Sequence, residues 1–180
     1  MPLQAIPTRH NGLLYRSRCE ARWAVVFDEL GWNHQYEPES FRLTCGAYLP
    51  DFYLADIDVF FEVKGNYPTS DELRKAEQLC VASEKPVVIS TGPPNPKRDE
   101  IESDLIVFYP EMMEGEVIAF QYEGAFVSGR FSSHPSCSLH LGNLSYLGSL
   151  TDIAWRDAFR AAANERFGIY ASQNAKKCDG

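Results

Sequence analysis

The chain has 180 residues with 25 acidic and 17 basic side chains, giving a formal net charge of -8 at pH 7. This length suits one domain with its own core, and its apolar fraction of 44% and charged fraction of 23% are those of an ordinary globular protein. No run approaches the roughly 18 apolar residues of a membrane span, and the first eleven residues lack the order of a signal peptide. The acidic total counts against tight, sequence-independent DNA binding by the protein alone, because phosphate neutralisation supplies much of that affinity.

The first predicted element is a helix over residues 15–31, because apolar side chains recur there at helical spacing and Gly31 suits the C-terminal end. Its apolar stripe consists of Cys19, Trp23, Val26, Phe27 and Leu30. Residues 35–43 are then predicted as the first strand.

Two apolar runs, residues 48–54 and 59–64, predict a hairpin that turns at Asp56-Ile57. In that register Asp51 lies directly opposite Glu62, at about 5 Å between Cβ atoms, where like charges repel. The two-residue period of a strand also places Lys64 on the face of Glu62. Such a cluster is costly unless a cation bridges the carboxylates, so the hairpin predicts a metal site.

The second helix has the clearest start signal, because Thr69 with Glu72 forms a capping box. Its apolar stripe is Leu73, Ala76, Leu79 and Cys80, and a short strand over residues 86–90 follows. The remainder is predicted as strands over 105–109, 117–122 and 125–131, a loop over 132–148 and a final helix over 152–167. The last ten residues, 171–180, are expected to be disordered.

This order of elements, with Pro50-Asp51 on one strand and Glu62-Val63-Lys64 on the next, resembles the PD-(D/E)xK nuclease superfamily. Residues 16–23 and 48–52 also look like small phage-encoded and mobile-element members. The resemblance covers about residues 15–90. It implies an α/β protein whose restriction-endonuclease-like core runs αβββαβ, with a mixed central sheet flanked by helices. The C-terminal extension, about residues 104–170, would add strands and a final helix to one nuclease-like domain over 1–180.

The resemblance implies phosphodiester hydrolysis, which needs a metal ion and an activated water. Hard carboxylate oxygens suit Mg²⁺ or Mn²⁺, so Asp51 and Glu62 would be metal ligands, and by family analogy the Val63 carbonyl would be another. Lys64 would position or help to deprotonate the attacking water and would stabilise charge developing on the phosphate. Glu20, at the edge of the first helix's apolar stripe, would be the fourth catalytic residue; the alternative is a surface glutamate paired with Arg16.

Basic and polar side chains near these residues are candidate nucleic-acid contacts; the alternatives are solvated surface charges for the arginines and an ordinary turn for Asn66. They comprise Arg16, Arg18 and Arg22 around the first helix, Asn66 in the turn Gly65-Asn66-Tyr67, and Arg74 on the second helix. Weaker candidates for backbone contacts are Lys75, Lys97, Arg98, Arg156 and Arg160.

The cysteines and histidines carry weaker signals. Five cysteines without a CxxC pair indicate reduced thiols, as in the cytoplasm of a bacterial or phage-infected host cell. A loop offers His134, Cys137 and His140, with Cys178 as a distant fourth ligand, but ordinary polar loop residues are the better interpretation.

The leading hypothesis is therefore a metal-dependent DNA endonuclease that uses Mg²⁺ or Mn²⁺. Its partners would be DNA and a second copy of the chain or another protein, because one site cuts one strand. The alternatives are a catalytically silent binding or scaffold protein with the nuclease fold, which the acidic charge favours, and a nuclease subunit that is active only with a partner protein.

Overall fold

A computed structural model of the protein describes residues 5–95, 105–123, 126–127, 130–131 and 152–168. The helices in these ranges are α1 (Arg18–Glu29), α2 (Ser70–Ser83) and α3 (Asp152–Asn164). The strands are β1 (Thr8–His10), β2 (Leu13–Tyr15), β3 (His34–Tyr36), β4 (Phe41–Leu43), β5 (Gly46–Tyr48), β6 (Phe52–Leu54), β7 (Val59–Lys64), β8 (Val87–Thr91), β9 (Leu105–Met113), β10 (Glu116–Glu123), β11 (Phe126–Val127) and β12 (Arg130–Phe131). None of the helices in the described ranges is long and apolar enough to cross a membrane.

The fold is α/β and is built around a mixed six-stranded sheet in the order β10-β9-β8-β7-β6-β3. Strands β7 and β8 are parallel and are joined through α2, while the other neighbours are antiparallel. One face of the sheet packs against α1 and α3, with Phe61 and Val63 in that core. The other face packs against α2, with Phe60 in that core. Glu62 and Lys64 alternate with Phe61 and Val63, so they point toward the α2 face, as the two-residue period predicts.

The predicted register of the central hairpin is confirmed by the structure. Phe52 pairs with Phe61 and Leu54 with Val59 around a turn over residues 55–58. Continuing this register by one residue places Asp51 opposite Glu62. The apolar pattern fixes the register, because a slip of one residue would move every buried side chain to the other face.

The chain before this hairpin differs from the prediction in two places. The predicted strand over 35–43 is two strands, β3 and β4, because Glu37 takes a positive φ of 48° directly before Pro38 and ends the extended run. Tyr48 belongs to β5, which pairs with β4, and Pro50 separates it from β6 because proline has no N–H to donate to the ladder.

Helix α1 is shorter than predicted and is preceded by a hairpin that the sequence reading missed. Ser17 is the N-cap of α1 and accepts a hydrogen bond from the backbone of Glu20. Tyr15 lies in β2, which pairs with β1 across Asn11 and Gly12, both at positive φ. Asn-Gly is the strongest short hairpin signal, so this element was readable from the sequence.

The second half follows the prediction with corrections to the strands. The capping box of α2 is present, with both of its hydrogen bonds. β9 extends to Met113, through Pro110, where it has passed the end of its pairing with β8 and proline is tolerated. The strand predicted over 125–131 is two short strands, β11 and β12, separated in sequence by the turn formers Ser128-Gly129. The predicted loop over 132–148, the tail, the candidate zinc ligands and the weaker contacts Lys97 and Arg98 lie outside the described residues.

Candidate metal centre

Three charged side chains are buried among the residues that the structure describes, and all three are carboxylates. Glu20 is 6% exposed, Asp51 4% and Glu62 1%. Asp and Glu are almost never fully buried unless they are paired. The sequence reading singled out these three residues as catalytic acids from spacing and resemblance, and burial now sets them apart from the other acidic residues described.

Asp51 and Glu62 are locked together by reciprocal hydrogen bonds between side chains and backbone. The N–H of Asp51 donates to Glu62 Oε1 at 3.3 Å, and the N–H of Val63 donates to Asp51 Oδ2 at 2.8 Å. The N–H of Glu37 also donates to the Asp51 carbonyl at 2.9 Å, which ties the end of β3 to the same point. The two carboxylates are thus held at the end of the sheet by neighbouring strands. The structure brings Val63 here through its N–H, and the role of its carbonyl as a ligand stays a prediction.

Lys64 and Tyr48 complete the surroundings of Glu62. The Lys64 Nζ donates to Glu62 Oε2 at 3.2 Å, and its side chain is 21% exposed. The Tyr48 side chain is the other neighbour, and burial together with the negative charge of Glu62 raises the pKa of the Tyr48 hydroxyl. Burial alone would lower the pKa of Lys64, yet attraction to Glu62 and Asp51 raises it above its ordinary value. Lys64 is therefore an ammonium in the metal-free protein, and can orient a water or stabilise an anion.

Glu62 is a carboxylic acid whose surroundings raise its affinity for a proton. Burial raises its pKa from 4.5 to about 7, and repulsion from Asp51 acts in the same direction. Lys64 and Tyr48 both favour the ionised form of Glu62 and offset part of this increase in its pKa. A divalent cation beside both carboxylates would relieve their repulsion, so cation binding and deprotonation of Glu62 should be linked.

The raised pKa of Glu62 has a measurable consequence for metal-free stability. Between pH 4.5 and about 7 the folded state holds this proton more tightly than the unfolded chain does, so stability falls as the pH rises through this range. The full effect is about 3 kcal/mol, and Glu62→Gln should remove it. Urea unfolding in EDTA at pH 5 and pH 8 measures the difference between the two proteins. A wild-type stability that changes with pH as the variant's does would contradict this expectation.

Glu20 lies in the first turn of α1. The hydrogen bonds to its carboxylate come from residues just before the helix and from β3. Its Oε1 accepts from the Ser17 hydroxyl, and its Oε2 accepts from the Arg16 N–H and the Tyr36 hydroxyl. The bond that caps the first turn is a separate one, in which the Glu20 N–H donates to the Ser17 hydroxyl. Glu20 is connected with Asp51 through Arg16, whose guanidinium contacts both, so the structure brings Glu20 to the edge of the site.

The predicted nucleic-acid contacts separate into two groups. Arg16 joins the carboxylates, and Asn66 lies exposed in the turn directly after Lys64. The others are not brought to the carboxylates. Arg22 donates to the Ala162 carbonyl of α3, Arg74 pairs with Asp71 on the surface of α2, and the buried Nε of Arg18 has no hydrogen-bond partner among the described residues. Of the weaker candidates, Lys75 is half-buried and Arg156 and Arg160 are exposed.

Sequence reasoning missed the site roles of Tyr36, Glu37 and Tyr48. Tyr36 lies within the strand predicted over 35–43 but was given no role in the site, yet its hydroxyl donates to Glu20 Oε2. Glu37 follows in register beside Asp51, as the pairing of Tyr36 with Phe52 requires. A strand register for β3 and β6 could have found both. Tyr48 reaches Glu62 because of the separate β4–β5 hairpin, for which the sequence offered no register.

The carboxylate oxygens of Asp51 and Glu62 are the type of ligand that hard cations prefer. Within the part of the chain that the structure describes, no three His, Cys, Asp or Glu side chains form a metal-binding group. Mg²⁺ usually keeps several waters and takes only one or two protein carboxylates, so two buried carboxylates are a sufficient set for it. Asp51 and Glu62 would supply oxygen ligands alone, which are the type that Mg²⁺ and Mn²⁺ prefer.

Comparison with known proteins found no family model that matches the chain and no curated protein that matches it significantly. The function is therefore inferred from the residues of this chain. The features that carry it are the buried pair Asp51 and Glu62 and the ammonium of Lys64.

Proposed function

We propose that the protein is a metal-dependent DNA endonuclease of the PD-(D/E)xK superfamily. The observation that carries this proposal is the buried pair of Asp51 and Glu62, interlocked at the end of two antiparallel strands, with Lys64 on the same face. Two mutually repelling carboxylates and an ammonium gain nothing from burial as a purely structural element. They are suited to hold a divalent cation beside a phosphate.

The order of the elements supports the restriction-endonuclease-like core. Helix α1 is followed by β3, β6 and β7, then by α2 and β8, which agrees with the order αβββαβ once the β4–β5 hairpin is treated as an insertion. Strands β9 and β10 extend the sheet beyond β8, and α3 packs beside α1. These additions are the part of the fold that could provide specificity or an interface.

The proposed chemistry assigns one task to each residue. A bound Mg²⁺ or Mn²⁺ would polarise the scissile phosphate and make a water acidic enough to attack near neutral pH. Asp51 and Glu62 would hold the cation, and the Tyr48 hydroxyl would keep the Glu62 carboxylate oriented. The protonated Lys64 would orient the attacking water and stabilise the charge that develops on the phosphate. Glu20 would act from the edge of the site, beside Arg16.

The substrate and the setting follow from the same proposal. DNA is the proposed substrate, and the exposed Asn66, two residues after Lys64, would contact its backbone. One site cuts one strand, so cleavage of both strands would use a homodimer or a partner protein. Because the net charge of the protein is negative like that of DNA, the proposal includes a partner protein that supplies affinity for DNA. The cytoplasm of a bacterial or phage-infected cell is the proposed location.

A cleavage screen tests the proposal. The purified protein should nick or linearise plasmid DNA with Mg²⁺ or Mn²⁺ and lose this activity in EDTA. Branched DNA, single-stranded DNA and RNA assayed in parallel define the substrate class. Cation binding that depends on Asp51 without cleavage of any free substrate would favour a subunit that needs a partner protein. The absence of such binding would overturn the proposal in favour of a silent binding or scaffold protein.

A further inference from the structure

Arg16 occupies the solvent side of the carboxylate cluster. Its Nη2 donates to Asp51 Oδ1, its Nε lies 3.0 Å from Glu37 Oε1, and the same Nε lies 3.9 Å from Glu20 Oε2. One guanidinium therefore contacts three carboxylates that come from α1, the end of β3 and the start of β6. Sequence reasoning assigned Arg16 to nucleic-acid binding or to a pair with Glu20, and neither assignment includes Asp51.

The backbone of Arg16 is held by two hydrogen bonds, whereas its side chain is more than half exposed. Its N–H donates to Glu20 Oε2 at 3.1 Å and to the Tyr36 hydroxyl at 3.0 Å, which anchors the residue just before the N-cap of α1. The side chain is 54% exposed, whereas Asp51 beneath it is buried. The guanidinium can leave Asp51 without any rearrangement of the core.

We propose that Arg16 is the resident counter-cation of this site, and that a divalent cation displaces its guanidinium from Asp51. This inference rests on the proposed metal site and adds the step by which that site is opened. Asp51 Oδ2 already accepts the Val63 N–H, and Oδ1 is the oxygen that faces the guanidinium. A cation bound at Oδ1 would lie within a few ångströms of a fixed positive charge, which repels it strongly at a poorly solvated site.

Glu37 lowers the free-energy cost of moving the Arg16 guanidinium away from Asp51. It is half-buried at the rim and already pairs with the Arg16 Nε, so the guanidinium keeps one carboxylate partner after it leaves Asp51. The released guanidinium then lies at the mouth of the site, where its planar fork suits two phosphate oxygens. The cation would thus convert Arg16 from a partner of Asp51 into a group available to the substrate.

Calorimetric titration with Mn²⁺ at pH 8 gives the first test. Arg16→Met keeps the aliphatic stem, removes the competing charge and should tighten Mn²⁺ binding by at least about fivefold. Arg16→Lys retains a competing cation and should stay within about twofold of the wild type. Lys85→Met is the matched control, since Lys85 pairs with Asp58 in the turn at the opposite end of β6 and β7. Unchanged affinity in Arg16→Met would overturn the inference.

The second test follows Arg16 in the wild-type protein and does not depend on how a variant folds. The Arg16 Nε–H resonance is assigned by its absence from Arg16→Lys and is followed during Mg²⁺ titration. Its chemical shift should change in proportion to cation binding, because the Nη2 of the same guanidinium leaves Asp51, and it should not change when Asp51→Asn is titrated in the same way. An unchanged resonance at saturating Mg²⁺ would defeat the inference alone. A wild type that binds no cation through Asp51 would instead defeat the proposed function.

Discussion

Lys64→Met is expected to reduce metal-dependent cleavage by at least about a hundredfold while Mn²⁺ binding persists. Lys64 is the ammonium nearest the carboxylate pair, at 3.2 Å from Glu62 Oε2, and its partial exposure places it at the mouth of the site. Attraction to Glu62 and Asp51 raises its pKa, so it carries a proton throughout the working pH range. Methionine keeps the length of the stem and removes the charge and all three donors.

The measurement combines plasmid cleavage with Mn²⁺ calorimetry at pH 8. The high pH matters because Lys64 helps to keep Glu62 ionised, and its loss should raise the pKa of Glu62 further. Lys85→Met makes the same chemical change at the opposite end of the sheet and should cleave at the wild-type rate. Cleavage by Lys64→Met within a few fold of that control would remove Lys64 from the mechanism.

Glu62→Gln is expected to abolish the stabilisation that divalent cations give to the wild type. At a Mn²⁺ concentration 100 times the dissociation constant, a cation that binds only the folded state stabilises it by about 2.7 kcal/mol. For a chain of this size the corresponding rise in melting temperature is about 5 to 10 °C. Glutamine keeps the shape of the side chain but offers one neutral oxygen, next to Lys64, in place of a carboxylate.

Thermal unfolding at pH 8, with Mn²⁺ and with EDTA, measures this effect. Glu77→Gln, at an exposed position on α2, is the matched control and should keep the full response to Mn²⁺. Repeating the titration at pH 5 should weaken the wild-type response, because Glu62 is then largely protonated and cannot act as a ligand. A Glu62→Gln variant that gains as much stability from Mn²⁺ as the wild type would exclude Glu62 as a ligand.

Features that depend on neighbours along the chain could be predicted from the amino-acid sequence alone. The alternation of apolar residues fixed the register that opposes Asp51 and Glu62, and the capping box fixed the start of α2. Both signals are local, since side-chain direction in a strand and hydrogen bonding in a first turn depend on residues a few positions away. Asn11-Gly12 is a local signal of the same kind for the β1–β2 hairpin, which was missing from the predicted elements.

The groups that surround the two carboxylates could be identified only once the three-dimensional packing was known. Arg16 is 35 positions from Asp51 in sequence, and it reaches Asp51 because the start of α1 and the end of β3 lie beside the start of β6. Tyr48 reaches Glu62 because the chain interrupts its strand at Pro50 and folds β4 and β5 into a separate hairpin. The sequence pattern states which face a side chain takes, but the groups that meet it there come from other elements. Whether those groups contact the carboxylates depends on how the elements pack, and packing depends on side chains from the whole chain.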